Sequence, residues 1–307
     1  MGTENGMSYR EQIVGSKDGY QLHLHAFENP QGKAVVLCIH GMEEHQDRYI
    51  PFATFLQENG YAVVTANMRG HGKDAPVLSH IADRDGDRLL IEDEEAILSW
   101  IRKEYPEMPV ILFGHSMGTI IARAWLRTSS GAFRKAVLSG YPNPQAAAKA
   151  GVHLTHMLKG IKGADGHSKL VDNMVLGGFS KAVDGAETPL DWLSRNRENV
   201  RAYQADPLCG VPFTLGSYEA LFRLIMATDQ PEGYRQVQEN LPILLIAGEE
   251  DPCVGGEKGR ADSLDRLTKA GFRNIEVRNL EGMRHEILNE TNRMQAWQYI
   301  LDFLNRE

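Results

Sequence analysis

Residues 109–126 read PVILFGHSMGTIIARAWL, and this stretch decides the fold. Its first five residues are a short apolar run, as in a strand buried on both faces. From Ile120 to Leu126 the pattern is that of a helix. Gly114-His115-Ser116-Met117-Gly118 joins the two with no room for a loop, and it matches G-x-S-x-G. A strand that turns so tightly into a helix needs residues without Cβ atoms on both sides of the turn. The turn presents the Ser116 hydroxyl at the carboxyl edge of the sheet and at a helix N-terminus, where unpaired N–H groups favour developing negative charge. As a bare pattern G-x-S-x-G also arises in glycine-rich structural turns; the strand before it and the helix after it make the difference.

Outward from this stretch the same alternation continues in both directions. Strands are expected at residues 20–27 (after the turn signal Lys17-Asp18-Gly19), 34–39, 61–66, 109–113, 136–138, 242–247 and 274–277. Helices are expected at 49–59, 89–104, 120–126, 259–269 and 292–304. Strands apolar on both faces that alternate with helices predict an α/β fold with a mostly parallel central sheet flanked by helices. The alternation breaks once, between residues 142 and 240, where no continuous β run occurs and the pattern is mainly helical with loops rich in Gly and Asp. The expected organisation is a core from 1–141 and 241–307 with a helical cap, 142–240, inserted between two core strands.

The 307 residues carry a formal net charge of −8, which disfavours a nucleic-acid partner, since phosphate binding needs clustered Lys and Arg. The three cysteines, Cys38, Cys209 and Cys253, form neither a disulfide framework nor a zinc-type spacing, and a reducing cytoplasm is the expected location. The start MGTENGMSYREQ is polar, so no signal peptide is expected, and Gly6 stands where a myristoylation start wants Ser or Thr. No run approaches the roughly 18 apolar residues of a membrane span. His153 and His156 are three apart, but no nearby acid or cysteine completes a metal site, and a helix-surface pair is expected. His23 and His25 are expected on the exposed face of their strand, and Glu92-Asp93-Glu94-Glu95 on a solvated helix face. The Gly255–Gly259 stretch lacks the phosphate-loop pattern and is expected to open a helix.

A serine hydroxyl is a poor nucleophile without a base. In the strand–turn–helix setting the chain order is serine, acid, histidine. After the strand at 242–247 comes Gly248-Glu249-Glu250-Asp251-Pro252, where three acids compete. Asp251 is preferred, because it lies furthest round the loop and Pro252 stiffens the turn after it. After the strand at 274–277, the loop Leu280-Glu281-Gly282-Met283-Arg284-His285 brings His285 to the expected place of the base. The oxyanion needs donors: the N–H of Met117, after the serine, and a second from Ile39-His40-Gly41-Met42-Glu43-Glu44-His45, with Met42 the candidate. The His40 side chain is expected to brace this loop.

With these parts in place the sequence resembles the lysophospholipase and monoacylglycerol-lipase branch of the α/β hydrolases. The shared features are His40-Gly41, Glu44-His45, Arg48-Tyr49, Asn67-Met68-Arg69-Gly70-His71-Gly72, the G-x-S-x-G segment, Asp251 and Arg284-His285-Glu286. The resemblance implies carboxylic ester hydrolysis without cofactor or metal, oxyanion donation by Met42 and Met117, and a helical cap over an apolar acyl channel. Arg69 and His71 are expected to brace loops. The chain departs from the pattern at Thr119, where a third glycine is common, and after Arg69-Gly70-His71-Gly72, where the family often has a Ser and this chain has Lys73-Asp74. The candidate substrate wall is Gly41 and His115 from the core with Met157, Met174, Phe179 and Phe213 from the cap, methionines adapting well to irregular apolar ligands. The expected partner is a small ester with an apolar acyl chain, with room for transient contact with a membrane surface. The rivals are a short-chain esterase, thioesterase or peptidase on the same triad, and a non-catalytic binder of small apolar ligands.

Overall fold

The computed structural model describes residues 9–143 and 148–306. The leader and myristoylation readings, on Met1, Gly2 and Gly6, fall outside the described residues. Strand β1 (Arg10–Gly15) turns at Lys17-Asp18-Gly19 into β2 (Gln21–Phe27), the Asp18 carboxylate accepting the Tyr20 N–H at 3.1 Å. There follow β3 (Val35–Ile39), α1 (Ile50–Glu58), β4 (Ala62–Ala66), α2 (Gly86–Glu104), β5 (Val110–His115), α3 (Met117–Ser129) and β6 (Lys135–Ser139). Four helices come next: α4 (Ala148–Lys162), α5 (Lys169–Val175), α6 (Arg197–Ala205) and α7 (Leu215–Thr228). The chain then returns through β7 (Ile243–Gly248), α8 (Gly256–Lys269), β8 (Ile275–Leu280) and α9 (Arg293–Asn305).

The strands form one eight-stranded sheet in the order β1-β2-β4-β3-β5-β6-β7-β8. Pairing is antiparallel for β1–β2 and β2–β4 and parallel from β4 to β8. The pleat divides the central strands between two cores. Val35, Leu37, Val64, Leu112 and Leu138 face one side with Ile121 and Trp125 of α3 and Ile97 of α2. Val36, Val63, Phe113, Val137 and Leu244 face the other, with Phe52 of α1 and Trp297 and Ile300 of α9. Both faces are covered, which is why these strands read as unbroken apolar runs. Among the described residues no helix is long and apolar enough to cross a membrane.

Two surface expectations fail. His25 is buried and stacks on Tyr9 with ring centroids 4.2 Å apart, because the residue preceding β1 folds back over this face of β2. The acidic run on α2 is not solvated as a unit: Asp93 and Glu94 are both buried. Four consecutive residues spread over about 300° of a helix, so a run of that length turns part of itself inward. Asp93 accepts Arg69 Nε and Nη2, both at 2.6 Å, while Asp18 takes Arg69 Nη1 at 2.9 Å. Glu94 has a buried Oε2 without a partner, and burial, with Asp93 beside it, pushes its carboxyl up to about 8.

Breaking the Arg69–Asp93 pair from one side strands a buried charge. Arg69→Met is expected to cost about 3–5 kcal/mol in denaturant unfolding, and adding Asp93→Leu to recover most of that loss. A single-variant cost under about 1 kcal/mol would show the pair to be incidental.

Candidate active site

The loops after β3, β5, β6, β7 and β8 leave the same edge of the sheet, and the candidate groups sit on them. Ser116 closes the β5–α3 turn with φ 51° and ψ −119°. This backbone is unfavourable for a residue with a Cβ, and such strain persists only where its surroundings over-determine it. Here the Ser116 N–H donates to the Ser139 carbonyl at 2.9 Å, and the Ser116 carbonyl accepts both the N–H and the hydroxyl of Thr119, at 2.9 and 2.8 Å. A Cβ at Gly118 would collide with the Ile39 carbonyl oxygen, so α3 begins directly against the end of β3. Thr119, the departure noted in the sequence, is fully buried and spends its hydroxyl on this turn.

Of the three competing acids, Asp251 is the one that meets the histidine: its Oδ2 lies 2.9 Å from His285 Nδ1, and both side chains are buried. Its Oδ1 accepts the Cys253 N–H at 2.8 Å, in the short turn that Pro252 opens. Glu249 and Glu250 are exposed, and Glu250 pairs with Arg195 at 2.8 Å. Burial alone would depress the His285 imidazole, but Asp251, then Glu286 and Glu44, outweigh it and raise its pKa above the ordinary value. His115, its neighbour at 4.8 Å between ring centroids, has no such partner, and burial pushes it down to about 4.

The loop after β3 is organised by a buried carboxylate. Glu44 Oε1 accepts the Gly41 N–H at 2.6 Å and the Tyr49 hydroxyl at 2.8 Å. The Gly41 amide is thereby committed, and the next amide in the loop is that of Met42. His40 Nε2 accepts the Met68 N–H at 3.1 Å, which leaves Nδ1–H to donate to the Gly41 carbonyl at 2.7 Å. Burial pushes His40 down to about 3, so it braces the loop as a neutral ring. Arg48 then bridges two loops: Nη1 reaches Glu44 at 2.7 Å and Glu286 at 2.6 Å, and Nη2 reaches Glu286 at 2.6 Å. Helix α6 joins this cluster through Asn199, which donates to Glu286 at 2.6 Å, and through Tyr203, whose ring lies 5.0 Å from the Arg48 guanidinium.

Ser116, His285, Met42 and Met117 all line one cavity of about 410 Å³, as do Gly41, His115 and Phe179. Three expected wall residues do not. Met157 is 68% exposed, on the outer face of α4. Phe213 is fully buried against the rings of His71 and Tyr218. Met174 packs into the main core, and its neighbours Asn173, Val175 and Leu176 line the cavity instead. Apolar character does not say which way a helical side chain faces. Sequence reading also missed Trp192, whose ring lies tilted against His285 with centroids 5.0 Å apart, and Gly140. Gly140 has φ 56°, and a Cβ there would come within 3.1 Å of the rings of both His115 and His285. Its position directly after a core strand was the available signal; Trp192 lies in an irregular segment with no periodicity to read.

Among the described residues, two side-chain groups have metal-ligand atoms within 4.8 Å of one another, His45–Asp206–Cys209 and Asp251–Cys253–His285. Burial pushes both thiols up, away from the thiolate that a metal requires. The second group is already organised by the Asp251–His285 hydrogen bond. What the arrangement can do is acyl transfer: a serine at a helix N-terminus, a histidine held by a carboxylate, and amides of two loops around one apolar cavity.

Comparison with known proteins agrees. Residues 30–292 match the sequence family described as "Serine aminopeptidase, S33". The chain is 27% identical over 265 residues to the monoacylglycerol lipase of Mycolicibacterium smegmatis, covering 85% of this chain and 84% of that protein. It is 27% identical over 272 residues to human monoglyceride lipase, covering 84% and 77%. The crystal structure of a thermostable carboxyl esterase from Bacillus coagulans has the same fold, with a TM-score of 0.89 at 24% identity over 97% of this chain and 98% of that one.

To accept a proton His285 must be neutral. Its raised pKa therefore puts the acid limb of kcat/KM above the ordinary histidine value of about 6.5, with a plateau at higher pH. Asp251→Asn is expected to lower kcat by about 10⁴-fold and move the limb to lower pH. A limb centred below pH 6 in the unmodified enzyme would contradict this assignment.

Proposed function

The chain belongs to the serine aminopeptidase S33 family of α/β hydrolases and is a carboxylic ester hydrolase of lipase and esterase type; we propose that it cleaves single-chain esters of apolar acids, of the monoacylglycerol or lysophospholipid kind, through an acyl-enzyme on Ser116. The observation that carries this reading is that His285, held by Asp251 in a buried 2.9 Å contact, lines the same cavity as Ser116.

In this mechanism His285 takes the Ser116 proton as the hydroxyl attacks the ester carbonyl. The N–H groups of Met42 and Met117 hold the oxyanion, and Asp251 orients the imidazole and stabilises its charged form. The alcohol leaves with a proton from His285, and water then hydrolyses the acyl-enzyme with His285 again as base. The cavity volume falls within the usual range for small-molecule sites, about 300–1,000 Å³. Its apolar wall includes Leu176, Phe179, Trp192, Leu221 and Ile225. All five lie between β6 and β7, which supports residues 142–240 acting as a cap over an acyl channel. Met157, Ile161 and Leu170 are exposed on α4 and α5 and suit transient contact with a lipid surface. Cys38, Cys209 and Cys253 are free and buried, in keeping with a reducing cytoplasm.

The test is chain-length profiling on p-nitrophenyl esters together with fluorophosphonate labelling. Octanoyl and longer esters are expected to exceed acetyl in kcat/KM, and amino-acid p-nitroanilides to be inert. Ser116→Ala should abolish labelling and lower kcat by roughly 10⁶-fold. An acetyl preference would replace the lipase-like reading with a short-chain esterase, and labelling no stronger than in Ser116→Ala would remove the enzyme altogether.

A further inference from the structure

The cavity continues past the reacting serine. Ser116, Ile120 and Arg123 follow one face of α3, at spacings of four and three. Leu221, Ile225 and Thr228 repeat that spacing on α7, which packs against α3. All six line the cavity, so the groove between the two helices is a channel. Along α3 it extends seven residues beyond Ser116, roughly 10 Å at the helical rise. Its middle is apolar, and its inner end is not.

At that end stands Arg123, 4% exposed. Its Nε donates to the Thr119 carbonyl at 3.2 Å and its Nη2 to the Pro142 carbonyl at 2.9 Å. A guanidinium has five N–H donors, so three remain. Among the described residues no carboxylate lies within ion-pair distance of it. Asp229, close enough to act on it electrostatically, is ion-paired with Arg266 at 3.2 Å. Asn143, which follows Pro142 in the chain and also lines the cavity, has a buried Oδ1 without a partner, and a side-chain amide can present either its oxygen or its NH₂. A buried guanidinium with no carboxylate at ion-pair distance is costly, and burial lowers its pKa. A carboxylate brought to it from outside would form charge-assisted hydrogen bonds in a low-dielectric site.

We propose that the inner end of this channel is a carboxylate subsite, and that the preferred acyl groups carry a second, anionic carboxyl group at their far end, held by Arg123. The proposal rests on ester hydrolysis at Ser116 and specifies the acid that is released. A plain alkyl tip leaves the guanidinium uncompensated, whereas a dicarboxylic half-ester presents an apolar middle to Ile120, Leu221 and Ile225 and a charge to Arg123.

The experiment compares kcat/KM for p-nitrophenyl half-esters of suberic and sebacic acid with the octanoate and decanoate of the same length. The methyl-capped sebacate serves as a neutral control. Wild type is expected to favour the half-esters by about 100-fold, with the preference lost on methyl capping. Arg123→Met should collapse the ratio between the two ester classes, mainly through KM, and Arg123→Lys should restore part of it. A purely structural arginine would change the melting temperature and leave the ratio unmoved. If Arg123→Met does not fold, inhibition of wild type by free sebacate against free decanoate decides, since only the subsite makes the diacid the stronger inhibitor. Wild type favouring the plain esters overturns the proposal. If those esters are still cleaved and Ser116 still labels, the ester-hydrolase reading survives that result; if nothing is cleaved or labelled, that reading has failed instead.

Discussion

Arg48 is buried between two carboxylates, Glu44 and Glu286, and the geometry of the site depends on that bridge. Glu44 belongs to the loop after β3 and Glu286 to the loop after β8, and in the sheet these strands are separated by β5, β6 and β7. Four strand spacings amount to about 19 Å, so the two loops must each reach inward to meet over the end of β5. Glu44 fixes the Gly41 amide, and Glu286 follows His285 directly in the chain. One guanidinium thus sets the donor loop and the histidine loop relative to each other. A buried ion cluster of this kind need not add stability, since desolvation can offset its Coulomb energy. Its contribution is position. Burial alone would raise the Glu286 carboxyl, yet Arg48 holds it down to about 2, so this ion pair stays charged across the working pH range.

The same cluster bears on the chemistry. Two carboxylates around one guanidinium leave a net negative charge near His285, and both acids add to the effect of Asp251 on that ring. His40, His71 and His115 share the deep burial of His285, and burial pushes them down to about 3, 3 and 4. Desolvation is common to all four rings; a carboxylate in direct contact is what separates the ring able to take a proton from those that brace loops. Helix α6 is tied to this centre through Asn199 and Tyr203, and the Tyr203 hydroxyl donates to the Glu43 carbonyl at 2.8 Å. The segment between β6 and β7 is therefore hydrogen-bonded to the loops after β3 and β8 rather than merely resting over them.

Much of this was legible in the chain, because the forces concerned are local or periodic. The two-sided burial of β3 to β7 imposes unbroken apolar runs, and the tight strand-to-helix turn requires glycines around Ser116. An acid and a histidine in loops after late strands could be named from order alone. Asp251 could be preferred over Glu249 and Glu250 only on the stiffness of Pro252; the hydrogen bond itself is a tertiary contact between residues 34 apart. The wall of the cavity was poorly legible. Met157, Met174 and Phe213 were named for being apolar, but a helix in an inserted segment shows an apolar side chain to its own core, to the cavity or to solvent with no change in pattern.

What the sequence determined by itself was the order of elements and the mostly parallel sheet, since backbone geometry and burial leave a period and a turn chemistry that can be read along the chain. The tertiary structure alone decided which charges meet. Arg48 needed both Glu44 and Glu286, Asp93 and Glu94 went inward where a surface was expected, and Arg123 was left facing a cavity without a counter-ion. Electrostatic pairing depends on distances across the fold, and no residue carries a mark of which distant partner the packing will bring to it.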